Sequence, residues 1–321
     1  MRIFRFEKWY ADVLTPERDY INIFHTLLEV FGIRICFVEV NISRFGEARN
    51  FHLNRKLKVI KRLGHTISTQ QGRLMYKEGM GKILLFLRGM EIELNIRPVH
   101  PSEFCRGGMR IRNRGGGYLE WKPLYLKAMF EGKIRIEGEG EGEQGITEEQ
   151  VTGAGYVDYL YSTMSPFRIP VRQLYWGRLH SQDFDLTFSY ALGTHENVSG
   201  AQMMIQIGGK ILWIDKFTVQ ADRWEEFEPP GISCPASYMI EANTDRLQLV
   251  LKVHHLKHAI VSEFMENPKE LGRLRLAVLR RISSEPRGIK FYSSASLEYK
   301  FDGQPRKQHE IFMIDESVKI I

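Results

Sequence analysis

The feature that most constrains the fold is a period-two alternation of apolar and polar residues in short segments rich in β-branched and aromatic side chains. Helical periodicity is scarce, and the best helical candidate, Ser262 to Leu271 near Pro268, is short. Many short strands at nearly regular spacing are typical of a sandwich or a barrel. The sequence therefore predicts an all-β protein. The clearest strand candidates are Tyr20 to Thr26, Arg34 to Asn41, Ile83 to Arg97, Met129 to Glu137, Asp185 to Leu192 and Gln202 to Gln206.

Short turn signals separate several of these runs. Gly208-Gly209, Asp302-Gly303 and Asn243-Thr244-Asp245 each stand between two apolar segments. Such residues tolerate the backbone angles that a tight reversal needs, so each predicts an antiparallel hairpin.

Length and turn composition predict two domains. A chain of 321 residues can bury two ordinary cores. Glycines and prolines interrupt the strand pattern between Thr152 and Pro170, and strand-rich patterns lie on both sides without an exact repeat. We therefore expect an N-terminal β-domain over 1–160 and a C-terminal one over 161–321.

Composition argues against several classes of protein. No window approaches the roughly eighteen apolar residues of a membrane-spanning helix, and the N-terminus lacks the apolar stretch of a signal peptide. Three cysteines, Cys36, Cys105 and Cys234, are far apart and odd in number, which favours a reducing, cytoplasmic setting. We expect no disulfide framework. The surface basicity leaves peripheral contact with a membrane open.

Charge gives little support for nucleic-acid binding. The net charge is +6, but the basic run Arg106 to Arg114 is matched by the acidic stretch Gly138 to Glu149. Within that stretch, Gly138 to Glu143 predicts a loop whose carboxylates would repel phosphate. We therefore expect no nucleic-acid partner and no nucleotide.

The histidine cluster does not predict a metal site. His254, His255 and His258 follow a strand-like segment, where His254 and His258 would share a face but lie about 13 Å apart. No nearby Glu or Cys completes a ligand set. The expectation is a protein without a metal or another cofactor.

Two aromatic segments carry candidate site residues. Glu7-Lys8-Trp9-Tyr10 enters a strand, so Trp9 and Tyr10 should point to opposite faces and one of them can line an interior; plain core packing is the alternative. In Gly153 to Tyr161, glycines and tyrosines surround Asp158. This aspartate can act as a proton donor in an apolar cavity, or can simply accept hydrogen bonds from local amides at a turn.

A third segment is Tyr175-Trp176-Gly177-Arg178-Leu179-His180. Arg178 can anchor a carboxylate or carbonyl, pair with Asp158, or form a structural bridge between the halves. His180 is the best-placed histidine for acid–base chemistry, although a single histidine is more often an ordinary hydrogen-bonding residue.

These three segments resemble the AttH and carotenoid 1,2-hydratase family, whose members look like two lipocalin-type β-barrels joined face to face. The N-terminal signature of the family, an acidic residue followed by Trp-Trp-Tyr, is matched by Glu7-Lys8-Trp9-Tyr10. Its Gly-x-(Gly/Ala)-Tyr-x-Asp motif is matched by Gly153 to Asp158, and its Trp-Gly-Arg segment by Trp176-Gly177-Arg178. The order and spacing of the motifs extend over most of the chain.

The resemblance implies a cavity for an extended apolar ligand between two lipocalin-like barrels. Carotenoid hydratases add water across an alkene, which requires an acid and aromatic faces to stabilise a carbocation. Relatives of similar architecture include tocopherol cyclase, lipid-binding stress proteins and fungal enzymes that close rings pericyclically. Lys8 replaces the first Trp of the signature, and Tyr159 stands where His or Asn often follows the acid. Both departures weaken carotenoid hydration specifically.

The resulting prediction is a cofactor-independent enzyme that hydrates, cyclises or isomerises a polyene, terpenoid or polyketide small molecule. A non-catalytic carrier or sensor of a lipid or isoprenoid is the alternative, and the sequence leaves the oligomeric state open. The predicted catalytic residues are Asp158 and Tyr156. The predicted substrate-binding residues are Trp9, Tyr10, Tyr161, Trp176 and Arg178.

Overall fold

A computed structural model describes residues 4–45, 50–100, 104, 107–113, 116–137, 146–164, 169–193, 198–227, 232–263 and 286–320. Every helix or strand assigned within these ranges is a β-strand, which confirms the all-β class. Of the helical candidate, Ser262 and Glu263 end a strand and the rest lies outside the described residues, as does the predicted acidic loop. The described residues form no helix long and apolar enough to cross a membrane.

The strands form two antiparallel sheets, one curled into a nearly closed barrel and the other into a half-barrel. This confirms the two lipocalin-like sheets that the family resemblance implied. By contacts between residues, the chain divides into two compact units: unit 1 comprises Met1–Gly108 and Leu119–Thr163, and unit 2 comprises Met109–Tyr118 and Met164–Ile321. The predicted domain boundary itself stays a prediction.

The first sheet has the strand order β4-β3-β2-β1-β12-β11-β9-β8-β7-β6-β5, and β10 pairs with β11 outside this order. The N-terminal strand thus lies in the middle of the sheet, between β2 and a strand that begins at Ile146. The strands are β1 (Phe4–Leu14), β2 (Tyr20–Val30), β3 (Ile33–Ser43), β4 (Asn50–Leu57), β5 (Val59–Leu63), β6 (Thr66–Thr69), β7 (Gly72–Lys77), β8 (Met80–Leu87), β9 (Met90–Pro98), β10 (Met109–Arg112), β11 (Tyr118–Glu137) and β12 (Ile146–Ser162).

The second sheet has the order β16-β15-β14-β13-β21-β20-β19-β18-β17. Its strands are β13 (Gln173–His180), β14 (Phe184–Leu192), β15 (Val198–Ile207), β16 (Lys210–Ile214), β17 (Phe217–Phe227), β18 (Ile232–Asn243), β19 (Leu247–Glu263), β20 (Pro286–Phe301) and β21 (Gln304–Ile320).

The three predicted hairpins are confirmed. Gly208 and Gly209 have φ of 55° and 73°, and Asp302 and Gly303 have φ of 46° and 85°. Positive φ at both central residues matches the twist of the flanking strands. One strand prediction is wrong: Ile83 to Arg97 is two strands, because Arg88-Gly89, with Gly89 at φ 85°, reverses the chain between β8 and β9.

One face of the first sheet forms the core of unit 1, and we call it the interior face. Neighbouring residues across β6 to β9, such as Ile67, Leu74, Ile83 and Leu94, share this face and are fully buried. The residues between them along the strands are partly buried or, like Asn95, exposed. We call that opposite side the outer face. Following the pairing through β11 and β12 places Trp9 of β1 on the interior face.

The glycine of the mid-chain motif that precedes Tyr156 lies where two strands approach closely. A Cβ at Gly155 would lie 1.8 Å from the carbonyl oxygen of Asp12 and 2.7 Å from the Phe130 ring. Only glycine fits there, because the nearest atom belongs to the rigid backbone of β1 rather than to a flexible side chain.

We predict that Gly155→Ala destabilises the protein by about 2 kcal/mol or more, because β1 must move away from β12. Urea unfolding followed by circular dichroism measures the loss. Gly79→Ala is the matched control, since a Cβ at Gly79 meets nothing within 4 Å. Equal midpoints for the two variants would refute the close approach.

Candidate functional site

Trp9 and Tyr10 lie on opposite faces of β1, as the sequence predicts, and both are buried. Their strand partners differ accordingly: Trp9 lies opposite Tyr159 and Tyr10 lies opposite Asp158. The predicted site residues of unit 1 therefore divide into two sets. Trp9 and Tyr161 belong to the interior face, and Tyr10, Tyr156 and Asp158 belong to the outer face.

The outer face carries an alternation of tyrosine and aspartate across two strands. Tyr10 of β1 pairs with Asp158 of β12, and Asp12 pairs with Tyr156. Each of the two buried carboxylates therefore lies opposite one phenol ring and next to the other. Diagonal neighbours in such a ladder lie about 7–8 Å apart. The rings of Tyr10 and Tyr156 are 6.1 Å apart. We call these four residues, together with Tyr20, the outer-face cluster.

Asp12 organises this cluster and is a residue that sequence reasoning missed. It is 1% exposed, and its Oδ2 accepts hydrogen bonds from the hydroxyls of Tyr10 and Tyr20. Its Oδ1 accepts from the backbone N–H of Tyr156 at 3.1 Å. Buried polar groups are costly unless they are paired in this way. Asp12 thus fixes the phenol of Tyr10 and the backbone at Tyr156.

Asp158 lies in the middle of β12 rather than at a turn, and it is 7% exposed. Its Oδ2 accepts a hydrogen bond from the indole N–H of Trp121 on β11, at 2.9 Å. The alternative of an aspartate capping a turn is therefore wrong. The indole holds the carboxylate in one orientation on the outer face.

In unit 2, Trp176 and Arg178 share one face of β13 and are buried, at 4% and 2% exposure. Gly177 between them faces the apolar core, where an added Cβ would lie 2.5 Å from the Met313 methyl and 2.6 Å from the Phe188 ring. The buried ammonium of Lys290 lies 4.8 Å from the centre of the Trp176 ring.

His180 contacts an aspartate of its own hairpin, and a role of this histidine in acid–base chemistry stays a prediction. The Nδ1 of His180 lies 3.2 Å from Asp185 Oδ1, within one hairpin. His254 and His258 are both exposed, and the shared face expected of them stays a prediction. Two register shifts, between His255 and Lys257 and between His258 and Ile260, each insert one residue into β19. The described residues contain no group of three His, Cys, Asp or Glu that could hold a metal ion.

Plain alternation along β19 buries the His255 side chain in unit 2, beside a second group that sequence reasoning missed. Asp315, 1% exposed, lies 2.7 Å from the Nε2 of His255 and accepts a hydrogen bond from the Tyr238 hydroxyl at 3.0 Å. The Ser293 hydroxyl donates to its other oxygen, and the His255 ring stacks on Phe291. No sequence signal connects these residues. They come together only because β18, β19, β20 and β21 pair in succession.

On the interior face of unit 1, two further histidines are held in the neutral form. Burial, assisted by the nearby cations Arg62 and Lys122, lowers the pKa of His65 to about 4. Its Nδ1 accepts the indole N–H of Trp9 at 3.1 Å, which requires the unprotonated ring. Burial alone lowers the pKa of His25 to about 3. Both ring nitrogens of His25 lack a hydrogen-bond partner within the described ranges.

Solved structures resemble the whole chain, although no protein-family model and no curated protein sequence matches it. An AttH protein from Nitrosomonas europaea matches with a TM-score of 0.61 at 12% identity, over 99% of this chain and 93% of that one. CghA matches with a TM-score of 0.62 at 11% identity, over 99% and 88% of the two chains. Kievitone hydratase from Nectria haematococca matches with a TM-score of 0.56 at 10% identity, over 97% and 88%.

The chain has the AttH fold. The resemblance found in the three sequence motifs is thereby confirmed at the level of the fold. Within this AttH fold the motifs lie on β1, β12 and β13, and the first two are neighbours in one sheet.

We predict that Asp12→Ala destabilises the protein by about 3 kcal/mol or more, because several buried donors lose their acceptor. Urea unfolding measures the effect. Asp222→Ala, which removes an exposed carboxylate, should leave the midpoint nearly unchanged. A similar small effect in both variants would contradict the organising role of Asp12.

We also predict that stability falls on acidification from about pH 6.5 to pH 4. In this range unfolded histidines, with a pKa of about 6.5, bind protons that His25 and His65 of the native state do not. For each such site the free energy of unfolding falls by about 1.4 kcal/mol per pH unit as the pH drops from the unfolded pKa towards the native pKa. The full stabilisation is present above the unfolded pKa. The free energy of unfolding should depend less steeply on pH over this range in the double variant His25→Leu/His65→Gln than in the wild type. The glutamine of this variant can still accept the Trp9 N–H. An unchanged slope would contradict neutral burial of these rings.

Proposed function

We propose that the chain is a cofactor-independent enzyme of the hydratase or cyclase type that acts on a hydrophobic polyene, terpenoid or polyketide small molecule. The observation that carries this proposal is the outer-face cluster, in which the Asp158 carboxyl group lies opposite the Tyr10 ring and beside Tyr156 on the same strand face. Two structures of the same fold give support: one is a kievitone hydratase, and the other is CghA solved with Sch210972.

Asp158 is the proposed acid. In a hydration its carboxyl O–H gives a proton to one alkene carbon, and the neighbouring carbon becomes a carbocation. The π-faces of Tyr10 and Tyr156 stabilise that positive charge. Water then forms a C–O bond with the cation and returns a proton to the carboxylate, which restores the starting state. Trp121 serves as a positioning residue, since its indole N–H orients the carboxyl group.

A cyclisation or isomerisation would use the surface formed by Tyr10 and Tyr156 to hold the substrate in shape. A pericyclic ring closure transfers no proton, and catalysis there comes from holding the substrate in a reactive shape. The rigid pairing of Tyr10 and Tyr156 through Asp12 supplies such a surface. Trp176 and Arg178 belong to unit 2, and their roles as substrate-binding residues stay predictions.

The sharpest test is Asp158→Asn, which keeps the shape and an acceptor for the Trp121 N–H but removes the proton donor. Turnover of alkene-bearing terpenoid and polyketide candidates, followed by mass spectrometry, should fall by a factor of about one hundred or more. Melting temperature and substrate affinity should change little. Asp222→Asn is the matched control on the surface.

Unchanged turnover in Asp158→Asn would remove acid catalysis and leave ring closure by shape. A second outcome, in which the organic extract of the purified protein contains one unmodified hydrophobic compound and no candidate is turned over, would favour the carrier. Tyr156→Phe separates the contribution of the phenol hydroxyl from that of the ring.

A further inference from the structure

The interior face of unit 1 ends in a cluster of charge at one end of the sheet. Glu7 is fully buried and forms ion pairs with Arg5 and Arg62, the latter at 2.8 Å. The two arginines are 31% and 28% exposed, so they reach solvent while their shared carboxylate does not. A buried carboxylate needs such pairing. Two guanidinium groups around one carboxylate leave a net positive charge.

A second ion pair on the same face does not cancel this charge. Lys122 and Glu120 of β11 lie opposite Tyr159 and Tyr161 and pair with each other at 3.3 Å. Together the two groups contain three cations and two carboxylates within the described residues. His65 beside them stays neutral at physiological pH, because its pKa is lowered.

Both arginines keep donors for an additional anion. The Nε–H groups of Arg5 and Arg62 are buried and have no hydrogen-bond partner within the described part of the chain. A planar guanidinium can bind a second carboxylate through parallel N–H groups while it holds the first.

Next to this charge the interior face is lined by aromatic rings. Tyr159 packs against Trp9 at 5.0 Å and against His65 at 4.8 Å, and Phe104 lies 5.7 Å from His65. The Trp9–His65 contact joins β1 to the β5–β6 turn, which is not a neighbour of β1 in the sheet order, so it crosses the interior. Apolar side chains continue along the same face. The lining therefore changes from cationic to aromatic to aliphatic.

The rim at this end is apolar as well. Phe31 and Ile33 in the β2–β3 hairpin, beside the start of β1, are 62% and 53% exposed. Leu63, which follows Arg62, is 71% exposed. Large exposed apolar side chains next to a partly exposed cationic cluster suit a ligand with both an anionic and an apolar part.

We propose that the interior of unit 1 is a binding site for an amphipathic carboxylate, whose head group lies between Arg5 and Arg62 and whose apolar chain packs along Trp9 and Tyr159. This site is on the opposite face of the sheet from the outer-face cluster, so it is separate from the proposed reaction site. The buried His25, opposite Trp9 on this face, offers a further polar contact inside.

The test is calorimetric titration of the full chain with decanoate and with the uncharged decanol. Decanoate should bind the wild type saturably, with one molecule per chain, and more tightly than decanol. Arg62→Gln should weaken decanoate about tenfold or more and change decanol less than about twofold, because only the charged hydrogen bonds are lost. Arg135→Gln, which breaks an exposed ion pair of the same unit, is the matched control and should bind like the wild type.

Equal decanoate affinity in Arg62→Gln and wild type, or no saturable binding, would overturn the proposal. If Arg62→Gln does not fold, Arg5→Gln gives the same comparison. A photoreactive decanoate should label β1, β12 or the β5–β6 turn, and labelling confined to unit 2 would also overturn it. Asp158→Asn turnover is independent of this outcome, so the two proposals can fail separately.

Discussion

The pairing of β1 with β12 is the constraint on which the arrangement of unit 1 depends. Nine consecutive residue pairs run from Phe6–Ser162 to Leu14–Ala154 without a shift. Both faces of this ladder are buried, so each successive side chain enters a different buried environment. A slip of one residue would exchange the two sets completely. The absence of a side chain at Gly155 lets the two strands approach closely at the point where chemistry is proposed.

Three buried carboxylates along this ladder are stabilised in three different ways. Glu7 is neutralised by arginines, Asp12 accepts hydrogen bonds from phenols and a backbone amide, and Asp158 accepts one from an indole. The first solution produces a cluster of net positive charge, the second fixes two tyrosine side chains, and the third orients a carboxyl group. Unit 1 thus has the proposed carboxylate site and the proposed reaction site on opposite faces of one sheet.

Much of the fold could be predicted from the sequence, because strands and hairpins are local. Alternation identified the all-β class, and Gly208-Gly209 and Asp302-Gly303 identified turns whose positive φ the structure shows. Ile83 to Arg97 was misread as one strand because a turn at Arg88-Gly89 carries a weak signal.

The site could be predicted only in part, because it depends on long-range register. The motifs indicated Tyr156 and Asp158, and the structure adds that Tyr10 lies opposite Asp158. Asp12 and Arg62 gave no signal, since their partners are fixed by pairings far along the chain. The Asp315–His255 contact likewise depends on the pairing of β19, β20 and β21, which no local composition reveals.

The distribution of the chain between the units has a consequence for biogenesis. Met109–Tyr118 belongs to unit 2, although the segments on both sides of it belong to unit 1, so the polypeptide passes from one unit to the other three times. During synthesis, β1 can pair with β2 early, but its other neighbour β12 is made only much later. The strand β10 is likewise made long before the rest of unit 2. No single cleavage point would release two intact halves.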